Sequence, residues 1–212
     1  MSTRDTTDAV DEPGGPLLAG LDLLTVRERH ADELAFAAAA ALQDEGGRGV
    51  TVGTHWADLD GRRHVALVVQ VAGLDQDQLA RLLDALAFRA EPEERGLLVG
   101  ERFSGTPSLR PVLESAIEAQ HGQVSGRAVV FPGSSDLPAT ITVGALTTAT
   151  PITRVQVLGA GEAEADTPLL TRAFVRPLWS AGELVLHAQP AAGGVLVPFE
   201  SPDPTPCCAA HT

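Results

Sequence analysis

Two adjacent cysteines, Cys207 and Cys208, are followed by Ala209, Ala210 and His211 in a chain that has no other cysteine. Two thiolates and an imidazole within five residues can reach one ion. A closed zinc site, however, takes four ligands, usually from well-separated pairs. Neighbouring cysteines also share a stiff peptide unit, which makes joint chelation of one tetrahedral ion awkward. A soft transition-metal ion such as copper(I), which needs fewer ligands, suits the segment better. Cys207, Cys208 and His211 are therefore candidate metal ligands, or thiols able to form a mixed disulfide. The plainer alternative is an exposed tail without an evolved role, held off the body by the proline-rich residues 202–206.

His55 and His64 form the second candidate. They flank Asp60-Gly61 in two strand-like runs, residues 50–71. An Asp-Gly pair tolerates the positive φ angles of a two-residue hairpin turn. That turn pairs Leu59 with Arg62, Ala57 with His64 and Trp56 with Val65, leaving the two histidines as diagonal neighbours on one face. There they are either metal ligands or, if a helix covers that face, hydrogen-bonded core residues. Trp56, Val65, Leu67, Val69 and Val71 share the opposite face and are expected to be buried together.

Other patterns lead nowhere specific. Glu118-Ala-Gln-His121 has the Glu-x-x-His order of di-iron bundles, but His30 and Glu33 are reversed and supply no second copy. VQVLGAG, residues 155–161, begins like a dinucleotide loop. Acidic Glu162, Glu164 and Asp166 then follow where a pyrophosphate would sit, so a turn is the better reading. Gly133-Ser134-Ser135-Asp136 lacks the glycine spacing of a nucleophile elbow.

Composition removes whole reaction classes. All fifteen basic residues are arginine. Without a lysine amine there is no internal Schiff base, no P-loop lysine and no kinase strand lysine. Tyrosine is absent too, which removes tyrosyl acids, bases and nucleophiles. A net charge of −13 repels phosphate backbones, so no nucleic-acid partner is expected. No run of ~20 apolar residues exists to span a bilayer, so no membrane partner is expected either. The acidic start MSTRDTTDAVDEPGGP lacks signal-peptide order. A cytoplasmic location follows as the expectation, with both thiols reduced.

These residues need elements to position them. Residues 1–20 read as a flexible acidic tail with a Pro-Gly hinge. Thr25-Val26-Arg27-Glu28 has the form of a capping box ahead of an alanine-rich helix that stops at Gly46-Gly47. After the hairpin, Leu79, Leu82, Leu83 and Leu86 repeat at helical spacing behind the cap Asp75 and its partner Gln78. A short strand follows, then a third helix capped by Ser108 with the stripe Leu109, Val112, Leu113, Ala116 and Ile117, then the strand 127–131. From residue 138 onward the runs ATITVGALTT, ITRVQVLG, LLTRAFVRPLW, ELVLHAQ and GVLVPFE read as strands.

The expected fold class is α+β: three helices packed on a mixed or antiparallel sheet, then an all-β C-terminal part, with flexible ends. The expected organisation is a tail at 1–20, an α/β layer domain at 21–133, a β part at 138–200 that is separate or continuous with it, and a Cys-Cys-x-x-His tail at 201–212. Strong scaffold signals beside weak catalytic ones point to a non-catalytic binding or accessory module for a protein or small molecule. The alternative is a metal- or thiol-dependent protein, including an enzyme, centred on Cys207, Cys208 and His211. Acid–base chemistry within the body needs no local motif and stays open.

Overall fold

The computed structural model describes residues 15–87, 90–91 and 94–201. The chain is α+β, with helices packed on a mixed, largely antiparallel sheet and a mostly β C-terminal region. Its first part runs β1 (Leu17–Thr25), α1 (Glu28–Asp44), β2 (Arg48–Leu59), β3 (Arg62–Ala72), α2 (Gln76–Leu86), β4 (Gly96–Val99), β5 (Arg102–Gly105), α3 (Arg110–His121) and β6 (Arg127–Val130). The second continues with β7 (Thr140–Thr142), α4 (Val143–Ala149), β8 (Arg154–Val157), β9 (Gly161–Glu162), β10 (Pro168–Leu170), β11 (Leu178–Ser180), β12 (Glu183–Ala191) and β13 (Val195–Pro198). Strand order along the sheet is β5-β4-β1-β3-β2-β6-β11-β12-β13-β10-β7, with β8 and β9 added beside β12.

Local chemistry explains the central elements. Asp60 (φ 53°) and Gly61 (φ 80°) make the hairpin turn, closed by the Gly61 amide donating to Asp58 Oδ1 at 2.8 Å. The β2–β3 register is the expected one, with Leu59 opposite Arg62, Ala57 opposite His64 and Trp56 opposite Val65. Asp75 and Gln78 form the capping box of α2: the Gln78 amide donates to Asp75 Oδ1 at 2.7 Å, and the Asp75 amide to Gln78 Oε1 at 2.9 Å. Leu79 and Leu83 are fully buried below it.

The first part has three layers. Helices α1 and α2 cover one sheet face, where Ala31, Ala35, Ala38 and Leu42 meet Val65, Leu67, Val69 and Val71. Helix α3 covers the other, with Leu113 against Ala66 and Leu98. A second core forms around Leu146, Ile152, Val155, Leu169, Leu184 and Leu186. The join in the sheet is β6 to β11, where Arg127 pairs with Leu178.

Five expectations need correction. Residues 17–25 are a central strand, not the end of a lead-in, because LLAGLDLLT is buried on both faces and shows no alternation. Thr25 ends that strand, so α1 starts after Arg27 without a side-chain cap. Ser108 lies in a 3-10 turn and does not cap α3. Residues 143–149, read as strand from their β-branched composition, form α4, capped by Thr142 accepting from the Ala145 amide. Trp56 is 47% exposed whereas His64 is 0% exposed, opposite to the expected burial. The hairpin runs past the first turn of α1. There the Trp56 indole donates to Glu28 Oε1 at 3.0 Å and the Arg63 guanidinium lies 4.3 Å from its ring centre, so solvent takes the place of a helix layer.

Candidate functional site

The two histidines of the hairpin point into the interface between sheet and α3. His64 is held from both sides: one ring nitrogen contacts the Arg62 carbonyl at 3.0 Å, the other Asp22 Oδ2 at 2.8 Å. Burial raises the Asp22 pKa, against the Leu24 amide and His64, which favour its charge. His55 lies 3.1 Å from Gln120 Oε1, and Gln120 in turn donates to the Val68 carbonyl. Burial lowers the His55 pKa, only partly offset by Gln120. Two close approaches make this packing possible. A Cβ on Gly53 would stand 2.1 Å from Gln120 Oε1, and one on Gly126 would stand 2.3 Å from the His55 ring. Each histidine thus has its own polar partner, the covered-face arrangement weighed above.

Cys207, Cys208 and His211 lie outside the described residues. Among the described residues, no three His, Cys, Asp or Glu side chains gather as a set able to hold a metal ion. VQVLGAG forms β8, a turn and β9.

The concentration of charge lies elsewhere, where four distant parts of the chain converge. Asp32 on α1, Arg127 at the start of β6, Arg176 between β10 and β11, and Glu200 just beyond β13 form one buried network. Arg127 Nη1 donates to Asp32 Oδ1 at 2.5 Å and Nη2 to Asp32 Oδ2 at 3.0 Å. Its Nε donates to both Glu200 oxygens, at 2.8 and 2.7 Å. Arg176 Nε adds a third bond to Asp32, at 3.0 Å to Oδ2. Asp32 and the two arginines are at most 10% exposed in their side chains, Glu200 32%. Two guanidinium and two carboxylate groups balance, which is what permits charge at this depth. Burial opposes the Arg127 charge, but its bonds to Glu200 and Asp32 prevail and raise its pKa. For Arg176 burial prevails over Asp32 and the pKa is lowered.

This network floors a groove of about 880 Å³ lined by Glu28, Arg29, Glu33, Phe36, Phe174, Phe199 and Ser201, among others. Phe36 is 50% exposed and Phe199 56%. The Arg176 guanidinium lies between two rings, 4.2 Å from the Phe174 centre and 5.3 Å from that of Phe36. Its Nη1 reaches the Val175 carbonyl at 3.0 Å. Nη2 has no protein acceptor among the described residues.

The groove wall is built by the segment between β10 and β11, part of what reads as one strand, LLTRAFVRPLW. Its backbone breaks at Arg172 (φ 51°) and Ala173 (φ 56°), a left-handed conformation costly for residues with a Cβ. Buried Thr171 holds the break: its hydroxyl donates to the Pro138 carbonyl at 2.6 Å, and its own carbonyl accepts from the Phe174 amide at 2.9 Å. That turn swings Phe174 and Arg176 toward α1.

None of these groove residues stands out in the sequence as a site. Asp32 left a signal, since it occupies a buried position among Ala31, Ala35, Ala38 and Ala39. His30 is exposed. Arg127 opens a strand that is buried throughout. Comparison of the chain with protein-family models, curated proteins and solved structures finds no match. Among the described residues no helix is long and apolar enough to cross a membrane.

Proposed function

We propose that the chain is a non-catalytic binding module that takes an extended peptide segment of a protein partner into the groove between α1 and the turn after β10. The observation that carries this reading is the placement of its aromatic side chains. Only 4% of the chain is aromatic, yet three of its six phenylalanines line this groove, two of them half exposed. Exposing apolar rings while leucine, valine and alanine make up most of the core has a cost that contact with a ligand recovers.

The charged floor supports binding over acid–base chemistry. Asp32 uses both oxygens on guanidinium groups, and Glu200 does the same with Arg127. Carboxylates so engaged orient the arginines; they are poorly placed to exchange protons with a substrate. Arg176 Nη2, which has no acceptor among the described residues, offers an N–H to a carbonyl oxygen, while Phe36, Phe174 and Phe199 offer ring faces to apolar side chains. The neutral floor means recognition rests on shape and apolar contact rather than on ligand charge.

A photoreactive benzophenone side chain introduced at Glu33, an exposed groove residue, tests the reading in the cells that make the protein. The expected result is a discrete cross-linked protein whose purified form binds the full chain and loses at least about fivefold in affinity on Phe199→Ala, as for a contact residue worth over ~1 kcal/mol. The same group at Phe103, on the far edge strand β5, should capture nothing in particular. Equal capture from both positions would overturn the assignment of the groove.

A further inference from the structure

We infer that the groove's resident occupant is the chain's own C-terminal segment, with Pro202 to Pro206 laid across Phe36, Phe174 and Phe199. This rests on the groove reading above and names the chemistry of its ligand: a proline-rich extended strand, here supplied in cis.

Three observations converge. The first is position. Phe199, Glu200 and Ser201 all line the groove, and Glu200 is clamped to Arg127, so the chain is delivered to the rim at the last described residue. Residues 202–212 start there with no linker to cross. The second is shape. Pro202-Asp203-Pro204-Thr205-Pro206 alternates proline with small polar residues, a composition that prefers the polyproline II helix. At ~3.1 Å per residue, this stretch spans about 15 Å. Aromatic-lined grooves recognise such segments because the helix is already formed and costs little entropy to bind. The third is hydrogen bonding. Proline has no N–H, so the segment is rich in acceptors and poor in donors. The groove answers with Arg176, a lining residue whose Nη2 is a donor without an acceptor among the described residues.

Attachment makes even a weak contact effective. A short tether gives an effective concentration in the mM range, so an intrinsic dissociation constant of ~1 mM would already leave the groove about half filled. The proteins's own segment would then compete with a partner's, lowering apparent affinity until the partner displaces it.

The test uses the purified full chain with the benzophenone at Glu33, irradiated in dilute solution and mapped by peptide mass spectrometry. The expected product is a monomer cross-linked to residues 202–206. Its yield should fall severalfold when Pro202, Pro204 and Pro206 are together replaced by glycine, a change that leaves Ser201 and the groove intact. A free proline-rich peptide in excess should compete with the product in a dose-dependent way. Cross-links that join two molecules would overturn occupancy in cis. Absence of any cross-link to 202–206, while the free peptide still cross-links at Glu33, would overturn this inference and leave the groove as a peptide site. If neither cross-links, both readings fail.

Discussion

Replacing Asp32 with asparagine should destabilise the protein by about 3–5 kcal/mol, the usual cost of removing one partner from a buried ion pair. The structure explains why the cost should reach this range. Asp32 accepts three charge-assisted bonds, two from Arg127 and one from Arg176, in a site where its side chain is 10% exposed. Asparagine keeps the shape but removes the negative charge and turns an amide N–H₂ toward at least the Arg127 guanidinium. Arg127 retains Glu200; Arg176 retains the Val175 carbonyl and the Phe174 and Phe36 rings but no carboxylate bond. Glu200→Gln should cost less, about 1 kcal/mol, because its side chain is 32% exposed and water can take over its bonds. Arg176→Met should be tolerated better on the Asp32→Asn background than in the parent, by about 1–3 kcal/mol, since it removes the charge that was left unpaired. Equilibrium urea unfolding followed by circular dichroism reads all three. An Asp32→Asn variant within about 1 kcal/mol of the parent would show that the cluster is solvated, and would refute the argument from desolvation.

Acid should weaken the packing around His55. Its folded pKa lies below the ordinary 6.5, so the stability from keeping it neutral is present above that value and lost as pH falls through the folded one. A His55→Gln variant should show a flatter stability profile over that window, and an identical slope would count against burial as the cause. Gly53→Ala should cost about 1–3 kcal/mol, because its Cβ would meet Gln120 Oε1 at 2.1 Å, and a denaturation midpoint equal to the parent's would contradict that contact. Leu83→Ala, at a fully buried site of α2, should cost about 2–5 kcal/mol in the same assay. If Cys207, Cys208 and His211 hold a soft ion, elemental mass spectrometry of the purified chain should find it, and the Cys207→Ser, Cys208→Ser double variant should lose it.

What the sequence by itself determined is what short-range interactions decide. The Asp60-Gly61 turn needs only positive φ at two positions, and it carried the β2–β3 register with it. The α2 capping box is closed by groups three residues apart, and its leucine stripe repeats within three turns. Exclusions drawn from absent lysine and tyrosine needed no structure at all.

Only the tertiary structure decided which faces are covered and which charges meet. Leu17–Thr25 is a strand because β3 and β4 pair with its two edges and helices cover both faces; Gly20 lets Leu113 come close, where an added Cβ would lie 2.9 Å from its side chain. The Trp56 and His64 environments were set by where α1 begins and where α3 lies, which no feature of the hairpin encodes. The groove is the extreme case. Its floor joins residues 73, 95 and 144 positions apart in the chain, each unremarkable among its own neighbours. A carboxylate on an alanine helix and an arginine in a loop become one buried network only when the two cores dock. The electrostatic balance that makes them stable exists in three dimensions and has no local signature in the sequence.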